Sequence, residues 1–423
     1  MRENTEQTER DGTNGKGESS LAISVSSVSF RLFRVLSLTC FSLLPVVVAT
    51  TLFPVSTPKA NQELVWSAQS SGVMAKLSGV AFVDHNRGWV VGSNGTLLIT
   101  EDGGAKWRRQ ALPERQRNEA LNDVWFFNAD HGLLLGEYGM FNRKGDIDWS
   151  ERIFLLRSRD RGANWEAGAL ARLPVQHATE QARGQATGQT TRRPENVSDR
   201  NQRDGSDVLK PGQRPSDPVL LRMAFAKDQV GWAVGEAGTI QYTNDGGETW
   251  KLQEPPTRKL LYDVAVVDNK QAWAVGAGGT VLRTVDGGQN WKEQSSGVTQ
   301  TLRAVQFVDA KRGWAVGTKG TIITTINGGA RWQPQTSDVA LNLNDVFFVN
   351  SKEGQREGQR EVWVAGDRGL LLHTNNGGAT WESVELNTHA NLARLFFIAP
   401  DCGWVVGTSG AIFKYGQIQT PQK

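Results

Sequence analysis

Six short turns carry the residues most able to do chemistry. Asp102, Asp160, Asp245 and Asp286 each open a Gly-containing turn, and Asn327 and Asn376 hold the same place in two more. A tryptophan follows each one: Trp107, Trp165, Trp250, Trp291, Trp332 and Trp381. An Asp-Gly-Gly loop invites a calcium site, but calcium needs several closely spaced oxygen ligands. No second ligand sits at such spacing, and Asn replaces Asp twice. An Asp or Asn accepting backbone N–H groups of its own hairpin explains both facts. A second set of carboxylates, Asp123, Asp263 and Asp345, opens equivalent apolar segments. Paired carboxylates serve glycosidases, yet equivalent positions in a repeat are more often filled for packing and turn reasons. His85, His131, His177, His373 and His389 are scattered without a metal or nucleophile signature. No catalytic residue, metal site or cofactor is therefore expected.

The cations are placed more suggestively. Arg115, Arg117, Arg258, Lys259, Lys319 and Arg368 lie in connecting segments, while Arg222, Arg303 and Arg394 fall near the starts of apolar strands. If those strands converge on a channel, the nine residues form a basic face at its mouth. Such a face suits an acidic protein segment or an anionic headgroup. Ordinary solvated charge is the competing reading, because Glu114, Glu119, Glu236, Glu254 and Asp367 share the same loops.

The elements that must position these residues are copies of one unit. Residues 231–250 read GWAVGEAGTIQYTNDGGETW, and copies follow from Ala272 and Gly313. The step from Trp250 to Trp291 is 41 residues, and so is the step to Trp332. A fixed period of this size marks a repeat architecture. Within a unit, Trp232-Ala233-Val234 is a buried-strand run ending at Gly235, and Glu236-Ala237-Gly238 is a tight turn. Thr239 to Thr243 is a second, β-branched strand. A third follows the Asp turn, and Leu221 to Phe225 opens the unit. Four short antiparallel strands per repeat make a propeller blade. Further copies begin at Gly88, Gly132, Val362 and Gly403. The last lacks an outer strand, and Glu63 to Gln69 supplies the missing sequence type. The expectation is an all-β, seven-bladed β-propeller over residues 62–416, closed by the N-terminal strand and so without a free edge.

The repeat accounts for the 15 Trp and 46 Gly, so the compositional bias needs no other explanation. The formal charge of +3 gives no clustered footprint for nucleic acid. Cys40 and Cys402 are the only cysteines and leave a processed chain no internal disulfide. Residues 1–30 read as a disordered polar N-terminus. Residues 31–53 read as a signal sequence or membrane anchor, with Arg31 and Arg34 ahead of an apolar stretch at 35–53. Leu38-Thr39-Cys40 is a poor lipid-attachment box. Residues 54–61 are a linker, 173–218 a disordered Gln/Arg-rich insertion, and 417–423 a tail. The propeller is expected on the extracytoplasmic side of a membrane.

The pairing Gly-Trp-x-Val-Gly with Asp-Gly-Gly-x-x-Trp resembles the Asp-box, or BNR, repeat. It is most similar to the variant in the photosystem II stability and assembly factor family of cyanobacteria and chloroplasts. That resemblance implies a non-enzymatic, monomeric propeller in the thylakoid lumen or periplasm. It implies a reaction-centre core subunit or its precursor as partner, bound through an arginine-rich patch. The long N-terminus, the loop after Gly136 and the 173–218 insertion depart from the compact family pattern. The alternative is an extracytoplasmic Asp-box propeller that binds or hydrolyses glycans.

Overall fold

The computed structural model describes residues 64–139, 152–172, 218–227, 229–349 and 361–417. The expectations for residues 1–30, 31–53, 54–61 and nearly all of 173–218 lie outside these residues.

Seven four-stranded antiparallel sheets are found, each built from consecutive strands except the last. Blades I to VII open with inner strands Leu77–Phe82, Ala120–Phe126, Leu220–Phe225, Leu261–Val266, Leu302–Phe307, Leu343–Val349 and Leu392–Ala399. Blade IV shows the pattern: its inner strand pairs with Ala272–Gly276, that with Val281–Thr284, and that with the outer strand Lys292–Gln294. In blade VII the outer strand is Leu64–Gln69, which pairs with Ile412–Gln417, so that Trp66 lies opposite Tyr415. The third strand runs to Gln417, one residue beyond the expected end of the ring.

The second strand of each blade is packed on both faces. All five residues of Gly231–Gly235 are buried, as are those of Gly88–Gly92 and Gly313–Gly317. This explains the unbroken apolar run, which a half-buried strand would not show. The tryptophan in that strand reaches the next blade. Trp89 stacks on Phe126 at 3.5 Å, Trp273 on Phe307 at 3.7 Å, and Trp404 on Phe82 at 3.4 Å. At these junctions the blades adhere through a Trp of one and an inner-strand Phe of its neighbour. Blade II has Leu133 in place of the Trp, and blade IV, next to Trp232, has Val266 in place of the Phe.

The Asp turns close their own hairpins. Thr284 Oγ1 donates to Asp286 Oδ1 and accepts from the Gly288 N–H. Asp286 Oδ1 accepts the Asn290 N–H, and Oδ2 accepts the Asn290 side-chain amide. The Asn290 backbone and side-chain donors hold the Asp286 carboxyl below the usual carboxylate range. Asn327 and Asn376 accept the equivalent backbone N–H groups, from Arg331 at 2.9 Å and Thr380 at 3.0 Å.

A glutamine not anticipated from the repeat fastens four of the six Asp and Asn turns to the blade before them. Gln253, on the outer strand of blade III, donates from Nε2 to Gly287 O at 2.9 Å. Its Oε1 accepts the indole N–H of Trp291 at 2.9 Å and of Trp232 at 3.0 Å. Gln69, Gln294 and Gln335 donate likewise to Gly103, Gly328 and Gly377. Each of the four stands three residues after a tryptophan. Gly288 has φ of +80°, and a Cβ there would lie 2.0 Å from Gln253 Oε1. The second glycine is thus required by both backbone and contact.

Two outcomes test this account. Gly288→Ala should destabilise the ring by about 2 kcal/mol or more, since it adds a left-handed alanine and displaces a buried amide. A small change in the denaturant midpoint would contradict the contact. Asp286→Asn should change neutral stability by less than about 1 kcal/mol, because Asn already serves in two blades. The lowered Asp286 carboxyl stabilises the fold above its unfolded value, and that contribution is lost as pH falls through the folded one. The Asn variant should therefore lose less stability than wild type between pH 5 and pH 3, a difference read by thermal melts.

Candidate functional site

The channel begins with a backbone irregularity. In every blade the register between inner and second strands shifts after the first inner-strand leucine, as between Leu261 and Asp263. Such a bulge re-aims the side chain after it. The residues following the shift are, in blade order, Gly79, Asp123, Arg222, Asp263, Ala304, Asp345 and Arg394. Three carboxylates and two guanidiniums thus share one layer of the channel.

Buried charges persist only when paired and hydrogen-bonded. Each carboxylate reaches the following blade: Asp123 Oδ2 accepts the Met223 N–H at 3.0 Å, Asp263 Oδ2 that of Val305 at 2.9 Å, and Asp345 Oδ2 that of Leu395 at 2.7 Å. Arg222 Nη1 donates to Ser78 O at 2.9 Å and Asn122 O at 3.2 Å, and lies 3.5 Å from Asp123 Oδ1. Arg394 Nη1 donates to Asp345 Oδ1 at 3.1 Å and stands 3.8 Å from Asp263 Oδ1. Burial pushes Asp263 up to about 6 against the pull of Arg394 and Arg222, with Asp345 adding to the rise. Burial raises Asp345 against the same two arginines. Burial and the Arg394 charge lower Arg222. Burial opposes charge on Arg394 too, but Asp345 and Asp263 hold it above its ordinary value.

The layer divides the channel. On the side where the inner strands start, a cavity of about 420 Å³ is lined by Lys76, Arg222, Tyr262, Arg303, Asn344 and Asp367 among others. This is the mouth. Arg258 and Lys259 are exposed in the loop before blade IV, and Arg115 and Arg117 in the loop before blade II. Lys319 and Arg368 occupy the tips of equivalent hairpins, with φ of +57° and +58°. These hairpins join the second strand to the third, so they rise beside the mouth. The turn takes a positive φ at two successive residues, the tip and its following glycine. That geometry sets the backbone from which Lys319 and Arg368 extend in blades V and VI.

Arg222 and Arg394 depart from the expected exposed face. Their side chains are only 15% and 21% exposed and turn into the channel, because the bulge directs them there. Arg303 stands at the mouth and donates to Asn344 Oδ1. Arg115 rests over the Tyr138 ring at 4.7 Å. Lys76, which precedes the Leu77 strand, was not singled out in the repeat; its place before an inner-strand leucine is the signal that marks it. Three of the five acids of this face are engaged within the molecule, while Glu114 and Glu254 are exposed. Glu236 pairs with Arg152 at 2.9 Å, Asp367 accepts from the Asn342 and Asn344 amides at 2.9 Å, and Glu119 accepts the Gly139 N–H. Among the described residues, Arg117, Arg258, Lys319 and Arg368 have no carboxylate within ion-pair reach.

The Asp-turn residues lie away from this site. Asp102, Asp160, Asp245, Asp286, Asn327 and Asn376 stand where third strands end, at the opposite end of the blades. Trp165, Trp250, Trp291 and Trp332 are buried, while Trp107 and Trp381 are half-buried. Among the described residues, no group of three or more His, Cys, Asp or Glu could hold a metal ion.

The model of the photosynthesis system II assembly factor YCF48 family matches residues 58–188, 250–302 and 294–390, well over half of the chain. The BNR/Asp-box repeat model matches residues 241–252. A photosystem II assembly lipoprotein, Ycf48, of Synechococcus sp. (strain CC9605) is 37% identical over 60 residues, which span 14% of this chain and 17% of that protein. A solved structure of YCF48 bound to D1 peptide superposes with a TM-score of 0.59 at 20% identity, covering 86% of this chain and 100% of that one. The GH74 xyloglucanase of Xanthomonas campestris gives 0.56 at 12% identity, over 84% of this chain and 54% of its own. At these identities the two structures speak for the fold alone. The chain belongs to the photosynthesis system II assembly factor YCF48 family.

Proposed function

We propose that this propeller is a non-enzymatic assembly factor whose mouth face binds an acidic segment of a membrane-complex subunit. Membership of the family points to a photosystem II reaction-centre subunit as the partner, and one member has been solved with D1 peptide bound. The observation that carries the reading is the charge imbalance at the mouth. Glu119, Glu236 and Asp367 are occupied by internal bonds, which leaves the exposed Glu114 and Glu254 against the solvent-facing Arg117, Arg258, Lys319 and Arg368. Arg115, Lys259 and Arg303 extend this surface, and Arg222 and Arg394 support it from the channel. Cations placed this way speed encounter with an acidic partner and set its register.

The apolar stretch at residues 35–53 holds the protein at the extracytoplasmic side of its membrane in this reading. The lipoprotein name of a relative supports attachment of some kind. In this reading the propeller acts as a monomer. A glycan-binding surface would require several tryptophans open to water. Among the described residues, the exposed large apolar side chains are Met74, Val285 and Ile326.

Pull-downs from detergent-solubilised native membranes test the proposal. The variant carries Arg258, Arg303, Lys319 and Arg368 changed to Ser and keeps the buried Arg222. It should melt like wild type and recover at least about tenfold less of the complex subunit, a loss of roughly 1.4 kcal/mol. Wild-type recovery should fall with added salt. Undiminished recovery by the folded variant would remove the basic face from the account.

A further inference from the structure

Beyond the charged layer the channel has a different character. A cavity of about 360 Å³ runs from Asp123, Asp263, Asp345 and Arg394 to the ends of the inner strands. Its walls there are aromatic. Trp125, Phe347 and Phe396 are half-buried and line it with the amide of Gln306. Phe396 lies 6.2 Å from Phe347 and 6.1 Å from Phe82, centroid to centroid. A cavity of this size is enough for a small organic group.

Its electrostatics favour one class of occupant. The layer holds three carboxylates against two guanidiniums, so one negative charge is uncompensated. Arg222 lines the mouth instead of this cavity, which leaves three carboxylates and one guanidinium on the aromatic side. Asp263 is the least well neutralised: Arg394 is 3.8 Å from it but 3.1 Å from Asp345. A cation entering from this end would meet the aromatic side chains first and the carboxylate behind them.

We propose that this end of the channel binds an alkylammonium group, with Asp263 as counter-ion and Trp125, Phe347 and Phe396 as aromatic walls. The group is either a lysine-type primary ammonium or a quaternary ammonium of the headgroup type. The site lies across the charged layer from the mouth and does not rest on the acidic-partner reading above.

The charged groups facing Asp263 are Arg394 from blade VII, Arg222 from blade III, Asp345 from blade VI and, more weakly, Asp123 from blade II. Blades I and V contribute Gly79 and Ala304 at this level, which carry no charge. Burial holds Asp263 near 6, so an ammonium must displace a proton below that value. Binding should therefore be full above about pH 7 and weaken as pH falls through 6, by roughly tenfold at pH 5.

The test is a ligand-observed NMR titration of the full chain with n-butylammonium and tetramethylammonium, beside the neutral isosteres 1-butanol and tert-butanol, at pH 7.5 and 5.0. At least one cation should bind at least about tenfold tighter than its isostere at pH 7.5, and about tenfold more weakly at pH 5.0. Preference for n-butylammonium assigns a lysine-type ligand, and preference for tetramethylammonium a headgroup. Asp263→Asn should weaken binding and abolish the pH ratio. Phe347→Leu should weaken binding several-fold at both pH values and leave the ratio unchanged. If Asp263→Asn fails to fold, the wild-type pH ratio and Phe347→Leu decide. Equal affinity for cation and isostere, or the same affinity at both pH values, would overturn the proposal.

Discussion

The contact between an outer-strand glutamine and the Asp turn of the next blade is the constraint on which the ring depends. Gln253 joins three elements at once: the Gly287 carbonyl, the Trp291 indole and the Trp232 indole. Such a bond contributes only about 1 kcal/mol net, but leaving either indole unpaired in the interior costs more. The arrangement explains why the turn keeps its second glycine, and at Gln253 and Gln69 it also engages the tryptophan that follows the turn. It also explains blade VI. There Val384 stands where blades I, III, IV, V and VII have Gln (blade II has Gly168), and blade VII has no Asp turn to receive one. The second-strand indole of blade VI accordingly turns to its own strand, and Trp363 donates to Glu361 at 2.9 Å.

With the rim held by these contacts, the channel can carry charge that a less rigid core would not tolerate. Each buried aspartate spends one oxygen on the backbone of the next blade, so the charged layer is also a set of blade-to-blade ties. The two arginines cross the opening between them. The mouth then presents cations beside acids of which Glu119, Glu236 and Asp367 are already committed. The same residues thus tie the blades together and set the field seen by a partner.

The architecture was legible because the repeat writes it several times. The Trp and Asp positions recur at fixed spacing, and the ring-closing strand could be recognised from its likeness to the other post-turn strands. The orientation of Arg222 and Arg394 was not legible. It depends on the bulge after the first leucine of the inner strand, and a one-residue shift turns a side chain from one face to the other. The glutamine was legible in principle, since Gln69, Gln253, Gln294 and Gln335 each follow a tryptophan by three residues. Its partner lies in the neighbouring blade, so a reading of one unit at a time does not find it. The pairing of Asp263 with Arg394 joins blades IV and VII, a relation that no local pattern encodes.

The closing strand has a mechanical consequence. Leu64 pairs with Gln417 at one end of the last sheet, and Gln69 with Ile412 at the other. The first and last residues of this ladder are therefore side by side. Tension drawing them apart would load the ladder one hydrogen bond at a time, like a zipper opened from its end. The seam of the closed ring is the line along which a pulling force would open it, although each blade keeps its short outer-strand edge.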